Sequence, residues 1–294
     1  MLDDKIKLIY NYLYDLKSKE CLDYYKIHIN KINLNDIKYS IPDYSNSDKE
    51  NIEEYENLVK EIVESKYKYN EYDNINKRLI LKRYSDSYST TLKISFYKKD
   101  NEYILDDPIN NDSLFSYLLS ELVLAKKTNH ILLPVINIDI PTKNIKKMLE
   151  SVNEDDITDV ACIQIREHFF KIKNLDEYLS ENVCNIKALL FQVIHTIAIL
   201  QNEYNGFRHN NLTLNNILIY MKKDINIHST YIGFKGSEDK FYIPNIGIEI
   251  KITNFEKSII PKHFGTKNET TSPYYDLYIF LTDLLKKNRY RKSM

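Results

Sequence analysis

Apolar positions along this chain recur at two periods, and the changes of period mark its elements. From residue 1 to about 40 the spacing is helical, with Ile6, Ile9, Tyr10, Leu13 and Leu16 on one face. Residues 41–50 (Ile-Pro-Asp-Tyr-Ser-Asn-Ser-Asp-Lys-Glu) read as a polar linker, and a second helical stretch covers 52–67. From Arg78 to Leu105 the texture turns to short β-prone runs: Leu79 to Leu81, Thr90 to Tyr97, and Tyr103 to Leu105. Lys98 to Asn101 reads as the hairpin turn between the last two, which makes the 103–105 run the third strand. Asp112 stands ahead of Leu114, Leu118, Leu122 and Ala125, the pattern of a capped amphipathic helix.

Ile131 to Ile138 and Asp159 to Ile165 predict strands, and Asn174 to Leu179 a short helix. A longer helix is predicted over 185–202, with Leu189, Leu190, Val193, Ile194, Ile197 and Ala198 on one face. Tyr220 to Glu249 reads as a polar insertion with strand pieces, Ile250 to Thr253 as a strand, and Tyr274 to Leu285 as an apolar helix. No internal repeat is visible. Strands, one helix, more strands and then mostly helices predict an α+β class.

Composition narrows the reading further. Of 294 residues, 43% are hydrophobic and 28% charged, the balance of a globular chain rather than a disordered one. A net charge of -1 gives no reason to expect nucleic acid as a partner. Cys21, Cys162 and Cys184 are widely spaced with no C-x-x-C, which reads as free thiols in a reducing compartment. The N-terminus lacks the basic start and apolar run of a signal peptide, and the longest apolar stretch, Ala188 to Leu200, is too short to span a bilayer. A cytoplasmic location is therefore expected. The abundance of Tyr (25), with Asn, Ile and Lys throughout, suggests an AT-rich coding genome.

The candidate chemistry lies in the second half. His209-Asn210-Asn211-Leu212-Thr213-Leu214-Asn215-Asn216 followed by Ile217-Leu218-Ile219 resembles the catalytic loop of a protein kinase, H-R-D-L-x-x-x-N and an apolar strand. His209, Leu212 and Asn216 stand at the matching offsets, and Asn211 occupies the slot of the catalytic aspartate. A carboxamide can orient a hydroxyl but has no basic site to take its proton. Ile250-Lys251-Ile252-Thr253-Asn254-Phe255-Glu256 has the shape of the strand leading to D-F-G, with Asn254 in the metal-binding aspartate's place. It offers a neutral oxygen where magnesium prefers a carboxylate.

On these residues the chain resembles the protein-kinase superfamily, and within it the divergent serine/threonine kinases of poxviruses and related large DNA viruses. The likeness covers roughly residues 78–290 and includes Tyr274 to Phe280, where Asp276 would tie down the catalytic loop. It implies a two-lobed fold: a helical extension over 1–70, a β-rich N-lobe with one helix over 71–170, and a truncated helical C-lobe over 171–294.

Phosphoryl transfer rests on positioning and charge neutralisation by a glycine loop, a strand lysine, a helix glutamate, the catalytic loop and metal ligands. The first glycine is Gly206, so the glycine loop is missing; Ser85 to Thr90 best fills its slot, or is simply a polar β-hairpin. Counting 103–105 as the third strand puts Asp106 in the lysine slot. Lys93, one strand earlier, is either a substitute for it or a solvated side chain. Glu121 fits the helix glutamate or is a surface residue of the amphipathic helix.

The resemblance therefore implies a pseudokinase with no cofactor, acting by binding an active kinase, a kinase substrate or a host factor in the host cytoplasm or a virion. Two alternatives stand. One is a divergent active kinase using ATP and Mg²⁺, with Lys93 as the lysine and Glu256 or Asn216 helping with metal. The other is a structural virion protein.

Overall fold

The computed structural model describes residues 68–293 except 74–77, 84–89, 98–106, 144–148, 150–151, 153–154, 156, 168–171, 182–185, 222–227, 233–239, 246 and 262–271. The expected helices over 1–40 and 52–67, the linker over 41–50, Ser85 to Ser89 of the loop slot, the 98–101 turn, the 103–105 strand and Asp106 lie outside the described residues. The chain divides into two compact units, residues 1–118 with 133–168 and residues 119–132 with 169–294.

The first unit is built on a five-stranded antiparallel sheet in the order β1-β2-β3-β5-β4. Its strands are β1 (Lys68–Asp73), β2 (Arg78–Arg83), β3 (Thr90–Phe96), β4 (Pro134–Pro141) and β5 (Val160–Glu167), and helix α1 (Pro108–Leu124) follows β3. One sequence expectation is corrected here. Residues 68–70 belong to a strand and not to a helical extension reaching residue 70. With β1 present, β3 is the third strand, and β2 and β5 occupy both its edges.

The start of α1 is a further correction. Asp107, not Asp112, caps the helix: its Oδ1 accepts from the Ile109 N–H at 2.9 Å. Pro108 then takes the first helical position, where its missing N–H costs nothing. Asp112 is thereby carried into the first turns of the helix, where it is fully buried.

Alternation explains the sheet's two faces. On β3, Leu92, Ile94 and Phe96 alternate with Lys93 and Ser95, and every one of them is buried. On β5, Ile163 and Ile165 alternate with Cys162, Gln164 and Arg166, again all buried. Register places Lys93 opposite Gln164 and Leu92 opposite Ile165. One face of this sheet is therefore apolar and the other carries a buried polar row.

The second unit contains β6 (Lys173–Asn174), α2 (Leu175–Glu181), α3 (Ile186–Glu203), a 3-10 turn (Leu214–Asn216), β7 (Ile217–Met221), β8 (His228–Ile232), β9 (Lys240–Pro244), β10 (Ile248–Ile252) and α4 (Tyr275–Ser293). Strands β10, β7 and β6 form one small sheet, and β8 pairs with β9 in a separate hairpin. Helix α3 buries Leu189, Val193 and Ile197 of the predicted stripe, with Leu200 as well, but leaves Leu190 and Ala198 half-buried and Ile194 exposed, so the buried face is turned from the one expected. It is tied to β10 by Gln192, whose Nε2 donates to the Ile248 carbonyl at 3.2 Å and whose Oε1 accepts from the Ile250 N–H at 2.9 Å. Among the described residues no helix is long and apolar enough to cross a membrane.

Candidate functional site

In the second unit, the 209–216 loop and the turn after β10 are brought together by backbone pairing. β7 and β10 run antiparallel with Ile217 opposite Ile252, so the residues just before β7 meet those just after β10. The Thr253 N–H donates to the Asn216 carbonyl at 3.1 Å. His209 is fully buried; its Nε2–H donates to the Thr253 carbonyl at 3.1 Å, which sets the tautomer. Its ring lies 5.2 Å from that of Phe255, tilted by 53°.

Helix α4 holds this loop from below with two carboxylates. Asp276, 1% exposed, accepts from the backbone N–H of His209 at 2.7 Å and of Asn210 at 2.8 Å. A buried carboxylate receiving two N–H groups is a strong, charge-assisted anchor. Asp283, two turns further along, accepts from the Leu214 N–H at 2.9 Å and so holds the start of the 3-10 turn. The sequence reading named Asp276 and missed Asp283. The seven-residue separation, which returns a helix to the same face, was the available signal.

The side chain of Asn216 links the backbone of Asn211 to the side chain of Asn254. Asn216 Nδ2 donates to the Asn211 carbonyl at 2.7 Å. That bond fixes the orientation of the Asn216 amide, leaving its Oδ1 toward Asn254. Asn254 must then present its Nδ2, and it does so at 3.1 Å. Asn254 adopts φ 67 and Asn210 φ 58, a left-handed conformation that asparagine tolerates better than most residues. Asn216 and Asn254 are both buried, and Asn211 is partly exposed.

Mg²⁺ needs near-octahedral oxygen ligation with at least one anionic donor in most protein sites. These three slots supply only carboxamides, and the oxygen of one already accepts from the nitrogen of another. The donor set does not fit that ion.

In the first unit, Lys93 is 3% exposed and pairs with Asp112 of α1 at 2.9 Å. It is not the solvated side chain that one sequence reading allowed. Arg166 of β5 reaches the same carboxylate oxygen and also donates to Gln164 Oε1 at 2.7 Å. Gln164 Nε2 in turn donates to Ser113 at 2.6 Å. Counted in the sheet as formed, Lys93 stands on the third strand, while Asp106 lies outside the described residues. The helix carboxylate placed on it is Asp112; Glu121 lies further along α1, half-buried, in the part assigned to the second unit. Nothing in the spacing singled out Arg166, because its role depends on the β3–β5 register.

A β-sheet followed by a helix whose carboxylate meets a third-strand lysine, and a histidine loop anchored by a helix aspartate, are the parts of a kinase-like protein. Sequence relatives agree with that class. The chain is 30% identical over 204 residues to an uncharacterized protein of Acanthamoeba polyphaga mimivirus, covering 67% of this chain and 24% of that one. It is 24% identical over 237 residues to a protein of the same virus provisionally named a serine/threonine-protein kinase, covering 67% of this chain and 50% of that one. A second mimivirus protein so named is 29% identical over 128 residues, covering 37% and 32%. The chain thus spans between about a quarter and a half of the length of these relatives. No family model matches it. A solved structure of WaaP in complex with acyl carrier protein aligns with 79% of this chain and 75% of that one, at 11% identity and a TM-score of 0.40. The homology to viral kinase-named proteins supports a kinase-like superfamily for this chain.

Proposed function

We propose that this chain is a pseudokinase: a kinase-like protein that has lost phosphoryl transfer and acts by binding an active kinase, a kinase substrate or a host factor. The observation that carries the reading is Asn254, whose amide donates to Asn216 Oδ1 in the metal-ligand slot, beside the neutral Asn211 in the slot of the base. Where a kinase places a proton-accepting carboxylate this chain has the carboxamide of Asn211, and where it places a metal-binding carboxylate this chain has Asn254, whose Nδ2 donates to Asn216 Oδ1. Loss of the general base alone costs on the order of 10²–10⁴-fold in rate, and the loss of an anionic metal ligand adds to it. On this reading no cofactor is needed, and the work is done by surface rather than by chemistry, in the cytoplasm or a virion.

One observation favours the runner-up, a divergent active kinase. Lys93 is buried and ion-paired with a helix carboxylate, the arrangement that positions nucleotide phosphates in active enzymes. The two readings separate in one assay. The purified chain is incubated with γ-labelled ATP and Mg²⁺ or Mn²⁺, alone and with generic protein substrates. The pseudokinase reading expects no label on either. Label that disappears in Lys93→Met and in Asn216→Ala establishes the active alternative.

A further inference from the structure

We propose that residues 52–67 form a helix that packs on the side of α1 opposite the sheet, and so hold Asp112 on Lys93 and Arg166. α1 is buried all round: every residue from Asn110 to Leu118 is at most 7% exposed. The sheet accounts for one side. Asp112 meets Lys93 and Arg166, Ser113 accepts from Gln164 at 2.6 Å, and Asn110 Oδ1 accepts from the Tyr97 hydroxyl at 3.1 Å. At about 100° of turn per residue, Leu114, Phe115 and Leu118 project from the opposite side, and all three are fully buried. The five described strands of this unit belong to a single sheet, and a sheet on one side of a helix cannot also bury the other. The far side is apolar, and it has a cover.

Three features select residues 52–67 as that cover. They belong to the same compact unit as α1 up to Leu118. They run directly into β1 at Lys68, whereas the stretch over 1–40 is set off by the polar residues 41–50. Their sequence also carries one apolar stripe that needs burying: Ile52, Tyr55, Val59 and Ile62, flanked by Leu58 and Val63, with Glu53, Lys60, Glu61 and Glu64 on the opposite side. The row Tyr55, Val59, Val63 has the same four-residue step as Leu114 and Leu118, the match by which the ridges of two helices interlock. No charge stands on either apolar face, so none is buried. α1 is then clamped between a polar seam on the sheet and an apolar seam on residues 52–67. Hydrogen bonds to the sheet fix where Asp112 points, and the apolar seam supplies the burial that keeps the helix in place. The inference concerns the first unit alone and holds whether or not the chain transfers phosphate.

The test is amide hydrogen exchange on the full chain, read over 52–67, over α1, and over β7 and β10 as a reference in the second unit. The wild type should be protected over 55–63. Val59→Ala combined with Ile62→Ala should speed exchange in α1 by about tenfold or more, with β7 and β10 unchanged. Leu118→Ala should in return speed exchange over 55–63, since a shared seam loosens from either side. Ile9→Ala with Leu13→Ala, which trims the other amphipathic stretch, should leave α1 as it was. If the double variant loosens β7 and β10 as well, Val59→Ala alone, read in the same way, decides. Residues 52–67 exchanging in the wild type as fast as an unfolded chain would overturn the proposal. So would α1 protection that ignores both substitutions at 59 and 62, or that falls as far when residues 9 and 13 are trimmed, because the cover then lies elsewhere.

Discussion

Asn254→Asp restores the side chain a kinase would carry at the metal site, and should make this protein less stable. In the native protein Asn254 Nδ2 donates to Asn216 Oδ1 at 3.1 Å, and Asn216 cannot turn round because its own Nδ2 is held by the Asn211 carbonyl at 2.7 Å. A carboxylate at 254 replaces the donor with an acceptor, so two oxygens face each other in a site that is 7% exposed. Losing the bond and leaving a buried acceptor unsatisfied costs about 2 kcal/mol. That is a factor of about 30 in the unfolding equilibrium, and roughly 4–8 °C in Tm for a domain of 150–250 residues.

The pH dependence of that loss has a definite sign. The facing oxygen disfavours the charged form and raises the pKa of the introduced carboxyl above its unfolded value. Its protonated form can donate to Asn216 Oδ1, so stability is retained at low pH and lost as pH rises through the raised pKa. A divalent cation offers a second way out, since the carboxylate and Asn216 Oδ1 could share it. The assay is thermal unfolding of wild type, Asn254→Asp and Asn254→Gly, in chelator and in Mg²⁺ or Mn²⁺, at acid and neutral pH. The glycine variant removes the donor without adding an acceptor and keeps the positive φ, so it isolates the oxygen–oxygen term. The expected result is a wild type indifferent to metal and an aspartate variant destabilised in chelator, partly restored by metal or by acid. An aspartate variant as stable as wild type in chelator at neutral pH would refute that hydrogen bond.

Three further outcomes follow from the geometry. Asp276→Ala should cost about 2–4 kcal/mol by chemical denaturation, because it strands two buried backbone donors, and hydrogen exchange at His209 and Asn210 should accelerate more than at Ile250. In the first unit, Asp112→Ala should be more damaging than Lys93→Met: the former leaves Lys93 and Arg166 buried without their shared carboxylate, a loss of about 3–5 kcal/mol, whereas the latter leaves Arg166 on Asp112, so the reverse order in urea denaturation would show that the carboxylate is not the hub. Gly206→Ala should lower stability by about 1–2 kcal/mol, since Gly206 has φ +78 and an added Cβ would stand 3.0 Å from Pro261 Cγ; an unchanged Tm would contradict that contact.

Local pattern carried most of the elements and the loop chemistry. The α3 helix, the β7 and β10 strands, the His209–Asn216 offsets and the Asn254-Phe255 pair could all be read from spacing, because helix and strand periods are properties of neighbouring residues. The same spacing misjudged the first unit. The Asp107-Pro108 pair, a cap followed by a first-turn proline, lay in plain view, but Asp112 ahead of an apolar run resembled a cap equally well. Once that boundary moved by one turn, Asp112 became the buried partner of a lysine.

What the sequence by itself determined is the identity of the groups: amides at 211, 216 and 254, a carboxylate at 276, a lysine at 93. What only the tertiary structure decided is which atoms face which. The β3–β5 register brings Arg166 to Asp112 across 54 residues of chain. The β7–β10 pairing brings Asn254 to Asn216 across 38. α4 delivers Asp283 to Leu214 across 69. Contacts of that span depend on the pairing of whole strands and helices, and no local period encodes them.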